Sequence, residues 1–207
     1  KVIDADLHPD SGEIKMAEVI NRISEETDGE AIVVTDVGQH QMVANRYYKF
    51  RKTLSCITSG GLGTMGFALP AAMGAKVGQP NRMVIAIIGD GGFQMTIQEL
   101  GTIKQSDLAV KILILNNNFL GMVRQWQQLF FEKRYSFTEL DNPDFQMITR
   151  GYGIKAQKVE KREYLDQAIR DWLNYDGPAL LEVVVEKEEN VFPMVPSGAS
   201  VSDIRLD

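Results

Sequence analysis

Continuous apolar runs, with no alternation of apolar and polar residues, recur along this chain. They occur at 31–38, 54–58, 82–90, 110–117 and 179–187, and their length predicts β-strands. Strands that are apolar on both faces are typical of a sheet that is covered by helices on both sides. We therefore expect an α/β fold that is doubly wound, with a mostly parallel sheet and helices on both faces.

Between these runs, apolar residues recur at helical spacing. The segments with this pattern are 13–26, 67–77, 97–105, 119–131, 144–153 and 163–175. Thr96 and Glu99 have the spacing of a capping box, and Asn142 followed by Pro143 is a favourable helix start. The alternation of helices with strands indicates parallel strands that are joined by crossover helices.

Composition limits the choice of partners and compartment. The 207 residues carry a net charge of −6, which argues against nucleic acid or an anionic membrane surface as the main partner. A single cysteine, Cys56, excludes an internal disulfide framework, and no apolar run is long enough to span a bilayer. The polar start lacks the features of a signal peptide, so we expect a cytoplasmic protein.

The length of the chain suits one globular domain. We expect a linker remnant at 1–12, the folded domain at 13–190 and a C-terminal tail at 191–207. Because the chain starts with polar residues and has no initiator Met, we interpret it as a fragment of a longer protein.

Asp90 is an unusual charged residue, because it ends an apolar run and lies among Gly89, Gly91 and Gly92. A carboxylate in such a place needs water, a cationic partner or a metal ion. Asn117 ends the next apolar strand, and one predicted helix separates the two strands. If the strands are neighbours, the two side chains meet as oxygen ligands of the kind that Mg²⁺ prefers.

Each of these features also has a local interpretation. Asp90 alone could cap the following helix, and residues 116–118, all asparagine, could form a turn. Both features together, at this spacing, favour a site for a metal ion and a diphosphate. The backbone N–H groups of Gly91 and Gly92 are unhindered and could bind the phosphate oxygens.

The same residues carry a resemblance to a known family. Gly89-Asp90-Gly91, followed by 24 residues and then Asn116-Asn117, resembles the signature of enzymes that use thiamine diphosphate. The stretches TDVGQHQM, ITSGGLGTMGFALPAAMGA, VKILILNNNFLGMVRQWQ and NPDF are similar to the C-terminal domain of the acetolactate synthase catalytic subunit. The resemblance runs from Glu13 into the tail and covers only the C-terminal part of that family's polypeptide.

The resemblance implies roles for individual residues. Asp90 and Asn117 would ligate Mg²⁺ through their side chains, and Phe119 would ligate it through its backbone carbonyl. The implied cofactor-binding residues are Gly38, Gln39, His40, Gly63, Met65, Gly89, Gly91, Gly92, Asn117 and Met122.

Within that set, the resemblance assigns different parts of thiamine diphosphate to different segments. Gln39 and His40 would donate hydrogen bonds to the diphosphate. Gly63 would accept one from the aminopyrimidine through its carbonyl, and Met65 would hold the cofactor bent. Met122 and Trp126 would line the substrate channel, and residues 127–140 would belong to a mobile lid.

The resemblance also implies a parent reaction, which joins pyruvate to a second 2-keto acid, pyruvate or 2-ketobutyrate, with loss of CO₂. This reaction belongs to branched-chain amino acid biosynthesis. The family's catalytic glutamate lies in the N-terminal domain of a second catalytic subunit, and FAD is bound only in the full-length parent. We therefore expect this chain to bind no FAD and to be inactive without its own N-terminal domains and that subunit, while a regulatory subunit is left open.

Two features depart from the family pattern or match nothing in it. Val43 stands where the family usually has Trp, which puts a local packing contact in doubt. His8 matches no functional position, and we expect it to be exposed to solvent.

Other functions are weighed beside this one. Residues 61–66 read G-x-G-x-x-G, which favours a NAD-binding oxidoreductase, but that interpretation leaves the three asparagines unexplained. A non-catalytic binding module and another thiamine-diphosphate-dependent 2-keto acid decarboxylase, oxidase or carboligase are further alternatives. The stretch GMVRQW favours acetolactate synthase over those enzymes.

Overall fold

The computed structural model describes residues 6–196 and 198–206. They contain a six-stranded sheet in which every pair of neighbouring strands is parallel. The strands are β1 Ile32–Thr35, β2 Cys56–Thr58, β3 Val84–Gly89, β4 Val110–Asn116, β5 Lys155–Val159 and β6 Ala179–Val184. Their order across the sheet is β2-β1-β3-β4-β6-β5. The predicted α/β fold with a parallel sheet is confirmed.

Eight α-helices are described around this sheet. They are α1 Met16–Glu26, α2 Gln39–Tyr47, α3 Ala68–Gly78, α4 Asp90–Met95, α5 Glu99–Gln105, α6 Gly121–Phe130, α7 Phe145–Gly151 and α8 Leu165–Leu173. Short 3₁₀ turns lie at Arg162–Tyr164 and Val201–Asp203. No helix among the described residues has the length and apolar character that crossing a bilayer requires.

The side chains of β3 alternate between two hydrophobic clusters, one on each face of the sheet. Ile85 and Ile87 pack on the side of α1, α2 and α8. Val84, Ala86 and Ile88 pack on the side of α3, α5 and α7. Since both faces of the strand are buried, its sequence is continuously apolar rather than alternating.

The strand order places a topological switch point between β1 and β3. From β1 the chain moves outward to β2 at one edge of the sheet, and then crosses back to form β3 on the other side of β1. Ligands of open parallel sheets bind in the crevice that such a switch leaves at the carboxyl ends of the strands. In this chain, the segments that follow those two strands are 36–40 and 90–92.

Besides the short helix α4, two elements were not predicted. Helix α2 buries two polar side chains, Gln39 and His40, on its inner face, so its sequence lacks the apolar periodicity of a core helix. Strand β5 lies at the edge of the sheet and buries only Ala156 and Val159, which is too short a pattern to indicate a strand. Both elements depend on tertiary contacts that a local pattern does not show.

The predicted capping box was wrong. The Thr96 hydroxyl donates to the carbonyl of Gly66 at 3.0 Å instead of capping α5, and α5 begins at Glu99 rather than Ile97. The residues before it, Asp90–Met95, already form the short helix α4.

Two predicted helix starts also shift, while the other boundaries agree to within a few residues. Helix α1 begins at Met16 rather than Glu13. Helix α7 is capped by Asp144, whose carboxylate accepts from the Met147 N–H at 2.7 Å, so Asn142 lies before the helix.

We expect Trp172→Ala to lower the free energy of unfolding by about 3–5 kcal/mol, because the Trp172 side chain is fully buried between α8 and the sheet. Its indole N–H also donates to the carbonyl of Ala179 at 3.0 Å, and the variant would lose this hydrogen bond. Urea unfolding measures the change, with the exposed Tyr164→Ala as control. An equal loss in both variants would contradict the assignment of Trp172 to the core.

Candidate functional site

A cleft of about 120 Å³ lies at the switch point, and we call it the central cleft. Its lining comes from the carboxyl ends of β1, β3 and β4, the starts of α1, α2, α4 and α6, and one residue of the loop before α3. The lining residues are Met16, Val37, Gly38, Gln39, His40, Met65, Gly89, Asp90, Gly91, Gly92, Leu115, Asn117, Phe119, Leu120, Gly121, Met122 and Val123.

Most of the predicted site residues therefore meet at one place. Two do not line the central cleft: Gly63 and Trp126. Gly63 lies beside Val37, which lines it, since a Cβ on Gly63 would be 3.7 Å from that side chain. Trp126 lies on a separate surface pocket that shares Val123 with the central cleft. His8 is exposed, as predicted.

Asp90 is the buried charge of the central cleft, with 1% of its surface exposed. Burial raises the pKa of this carboxyl from 3.8 to about 6. The amide of Asn142 donates to Oδ2 at 2.7 Å and partly opposes this rise. The carboxylate is thus held dry by the fold, and a bound cation would relieve the cost of ionising it.

Asn117 and Phe119 line the same cleft. The Asn117 Nδ2 atom donates to Oε1 of Gln39 at 3.3 Å, which turns its Oδ1 atom toward the Phe119 N–H at 3.2 Å. Asn118 adopts a left-handed conformation with φ of 55°, so the chain turns sharply between them. In the described part of the chain, the Phe119 carbonyl accepts no backbone hydrogen bond. It remains available to a ligand.

The asparagine run also forms the turn that the local interpretation suggested. The Oδ1 atom of Asn116 accepts from the Asn118 N–H at 2.9 Å, and Asn117 bonds the Phe119 N–H in the same way. These are Asx-type turns, in which a side chain replaces a backbone acceptor. The same asparagines therefore both form the turn and include a candidate metal ligand, Asn117.

The donor set is suited to a hard cation that keeps other ligands. Among the described residues, no group of three or more His, Cys, Asp and Glu side chains could hold a metal. One carboxylate, one amide oxygen and one carbonyl fit Mg²⁺, which typically completes its octahedron with waters and phosphate oxygens. They do not fit zinc, which prefers nitrogen and sulfur.

Glycines leave room for the side chains that converge here. A Cβ on Gly91 would lie 2.7 Å from Leu120, and a Cβ on Gly92 would clash with the carboxylate of Asp36. A Cβ on Gly121 would clash with Gln39. Larger residues are excluded at these positions by the side chains that pack against them within the chain.

Gln39 and His40 are both buried, and each is already hydrogen-bonded. The Nε2 atom of Gln39 donates to Gln125 at 2.9 Å and to the carbonyl of Glu189 at 2.8 Å. The Nε2 atom of His40 lies 2.5 Å from Oδ1 of Asp36. A hydrogen bond from either side chain to a phosphate stays a prediction, and for Gln39 it requires an exchange of partners.

Sequence reasoning missed Asn142 as a site residue. Its amide reaches Asp90 and also the Oδ1 atoms of Asn116 and Asn118, at 3.2 Å and 3.0 Å. The stretch NPD was interpreted only as a helix start, and no local pattern indicates that the asparagine reaches across to β3. In the structure Asp144 caps helix α7, so the side chain of Asn142 is not needed for the cap and bonds to the residues after β3 and β4 instead.

The predicted lid, residues 127–140, is exposed from Phe131 to Phe137. The C-terminal end of this segment is held in place, because Thr138–Leu140 pairs in the antiparallel sense with Asn118–Leu120. Two backbone bonds form the pair: Leu120 N–H to the Thr138 carbonyl at 2.7 Å and Leu140 N–H to the Asn118 carbonyl at 2.9 Å. The lid segment therefore ends directly against the residues that flank the Phe119 carbonyl.

Asp90→Asn is expected to stabilise the metal-free chain at alkaline pH. Because its folded pKa is raised, the protonated carboxyl contributes stability that is present below about pH 4 and lost as the pH rises through about 6. At pH 8 the free energy of unfolding of the neutral variant should exceed that of the unsubstituted chain by about 3 kcal/mol, and this difference should shrink toward zero near pH 4. Urea unfolding across this range measures it, with exposed Asp171→Asn as control; a gain independent of pH would contradict the burial of Asp90.

Asn142→Ala is expected to raise the pKa of Asp90 further, because the variant removes the amide that donates to the carboxylate. Carbon-13 NMR titration of the aspartate carboxyl groups measures this shift. Gln94→Ala is a matched control, since Gln94 donates only to the far side of the Asn142 amide, at 2.8 Å. An unchanged pKa in Asn142→Ala would show that the contact does not form in solution.

The chain is similar to a described family and to curated proteins. Residues 36–183 match the family described as thiamine pyrophosphate enzyme, C-terminal TPP binding domain, where pyrophosphate is the same group as diphosphate. The matched range includes the whole segment from Asp36 at the end of β1 to Val183 in β6, and with it most of the lining of the central cleft.

Several curated relatives are catalytic subunits of one enzyme. The chain is 50% identical over 187 residues to the acetolactate synthase isozyme 2 large subunit of Escherichia coli, covering 90% of this chain and 34% of that protein. It is 48% identical to the acetolactate synthase large subunit of Lactococcus lactis, covering 92% and 33%. It is 47% identical to the mitochondrial acetolactate synthase catalytic subunit of Saccharomyces cerevisiae, covering 89% and 27%.

The chain thus spans about a third of the length of these relatives. Both the family match and the identities extend over most of the chain, and the six-stranded parallel sheet is consistent with them. The chain belongs to the thiamine pyrophosphate enzyme family as its C-terminal TPP-binding domain, and it is homologous to the catalytic subunits of acetolactate synthase.

Proposed function

We propose that the central cleft holds the diphosphate end of thiamine diphosphate through a Mg²⁺ ion. Asp90, the Oδ1 atom of Asn117 and the carbonyl of Phe119 would be the protein ligands of the metal. One observation carries this proposal: a carboxylate buried in the cleft, with its pKa raised to about 6, lies beside an amide and a carbonyl that can share a cation with it.

The remaining residues of the cleft would serve the organic part of the cofactor. Gly91 and Gly92 would approach the diphosphate, and Met65, which lines the cleft, would support the bent conformation. Gly63 would accept from the aminopyrimidine through its carbonyl. Thiamine diphosphate, when bound, supplies a nucleophilic thiazolium carbon and an electron sink for the decarboxylation of a 2-keto acid.

The contribution of this chain would be to bind, orient and neutralise charge. Asp90 would balance one charge of the metal, and the buried walls of the cleft would strengthen every electrostatic contact inside it. Met122 would face the reacting end from the first turn of α6. Trp126, four residues along the same helix, would form the wall of a substrate channel together with Val123.

We further propose that the parent of this chain is an acetolactate synthase, which joins pyruvate to pyruvate or 2-ketobutyrate with loss of CO₂ in branched-chain amino acid biosynthesis. The identity to such catalytic subunits over most of the chain supports this. The parent would be cytoplasmic, and its N-terminal domains and a second catalytic subunit would supply the catalytic glutamate and complete the substrate pocket.

Two features of the chain are consistent with a partial site. The central cleft measures about 120 Å³, which is smaller than the range of about 300–1,000 Å³ of sites that enclose whole small molecules. Leu54 and Leu62, on the segments around β2, are 90% and 94% exposed and could contact another domain.

Titration calorimetry of the chain with thiamine diphosphate, with and without Mg²⁺, tests the proposed half-site. We expect binding that requires Mg²⁺ and is abolished in Asp90→Ala. The control Asp171→Ala, which removes an exposed carboxylate, should bind the cofactor as the unsubstituted chain does. Binding of NAD⁺ in a parallel titration, or binding of the cofactor that survives Asp90→Ala, would refute the proposal.

A further inference from the structure

Asp36, at the end of β1, is a second buried carboxylate to which no role has been given. None of its surface is exposed, and its two oxygens accept from two different segments of the chain. Oδ1 lies 2.5 Å from Nε2 of His40 on α2. Oδ2 accepts from the backbone N–H of Gly66 at 2.8 Å, in the loop that leads to α3.

Three glycines make the space for this carboxylate and its imidazole partner. A Cβ on Gly92 would clash with Oδ2 of Asp36. A Cβ on Gly38 would lie 2.8 Å from the His40 ring, and a Cβ on Gly89 would lie 3.0 Å from its Nδ1 atom. The His40 ring is therefore enclosed on both sides, with Nδ1 next to two residues that line the central cleft.

The contact with Asp36 determines which ring nitrogen carries the proton. A carboxylate that accepts a backbone N–H through one oxygen is an acceptor at the other as well, so Nε2 of His40 is the protonated nitrogen. Nδ1 is then the atom through which His40 meets any ligand in the central cleft. In the neutral ring Nδ1 is an acceptor, so a hydrogen bond donated to a diphosphate oxygen requires a second proton on Nδ1, and the Asp36 carboxylate would stabilise the imidazolium that results.

The contact with Gly66 fixes the loop that carries the pyrimidine end of the site. Residues 60–64 are exposed, and the loop is attached to the protein core through both backbone groups of Gly66. Its N–H donates to Asp36, and its carbonyl accepts from the Thr96 hydroxyl at 3.0 Å. Met65 is the adjacent residue, so its position over the cleft depends on this attachment.

We propose that Asp36 is a positioning residue of the cofactor site. It holds His40 as the Nε2–H tautomer at the diphosphate end, and it holds Met65 and the loop before α3 at the pyrimidine end. One buried carboxylate thereby fixes the distance between the two ends of a bent ligand. This inference rests on the proposed binding of thiamine diphosphate, but its first consequence, the tautomer of His40, is a property of the chain without cofactor.

The tautomer can be measured directly, because the chain has only two histidines. Long-range ¹H–¹⁵N correlation spectra of the labelled chain give the protonation of each ring nitrogen, and His8→Gln assigns the signals of His40. We expect the Nε2–H form at His40 and rapid exchange between tautomers at the exposed His8. Rapid exchange or the Nδ1–H form at His40 would overturn the proposal.

Asp36→Asn separates the two contacts. Its amide oxygen can still accept from Gly66, but its NH₂ group must donate to Nε2 of His40, so the ring is expected to switch to the Nδ1–H form. Asp171→Asn, at an exposed position, is the control and should leave the ring signals unchanged. A His40 spectrum that is the same in Asp36→Asn and in the parent chain would overturn the proposal.

Calorimetry with Mg²⁺ and thiamine diphosphate tests the role in binding. Asp36→Ala should weaken cofactor binding by about 10- to 100-fold, the usual effect of removing a residue that orients a ligand group. Asp36→Asn should recover part of that loss, because it keeps the Gly66 contact and leaves Nδ1 of His40 as a donor. Equal affinity in all three proteins would overturn the positioning role. If the parent chain binds no cofactor, the proposed function fails, and the tautomer of His40 alone decides the assignment of Asp36.

Discussion

The burial of Asp90 is the constraint around which the site is built. A carboxylate placed at the end of a strand that is covered on both faces has lost most of its water, and burial raises its pKa to about 6. The neighbouring structure compensates in part, because Asn142 donates to the carboxylate. The ionised carboxylate is therefore only partly stabilised by the protein, and a bound divalent cation would balance its charge.

Amide side chains connect this constraint to the rest of the sheet. Asn142 bonds Asp90 after β3 and Asn116 at the end of β4, and Asn116 in turn donates to Glu182 on β6 at 2.7 Å. Glu182 is buried and also accepts from Gln146 on α7. Three parallel strands, β3, β4 and β6, are thus connected at their carboxyl ends by a network of hydrogen-bonded side chains, which fixes the position of Asp90 relative to the asparagines after β4.

The sequence predicts those parts of the molecule that depend on local pattern. Strands β3 and β4 are apolar throughout because both of their faces are covered, and the residues that follow them, Asp90 and Asn117, could be placed at one edge for that reason. Helix α2 could not be predicted, since the first two residues of its buried face are the polar Gln39 and His40. Asn142 and Asp36 act on residues distant in sequence, so only the folded chain shows their partners.

The antiparallel pairing of Thr138–Leu140 with Asn118–Leu120 has a mechanical consequence. The loop between Phe131 and Phe137 is exposed, and its far end shares two backbone hydrogen bonds with the turn that carries the Phe119 carbonyl. A displacement of the loop large enough to strain that pairing would shift the carbonyl, and a metal ion that pulls on the carbonyl would stiffen the loop. The position of the loop and the position of the carbonyl are therefore coupled through two backbone hydrogen bonds.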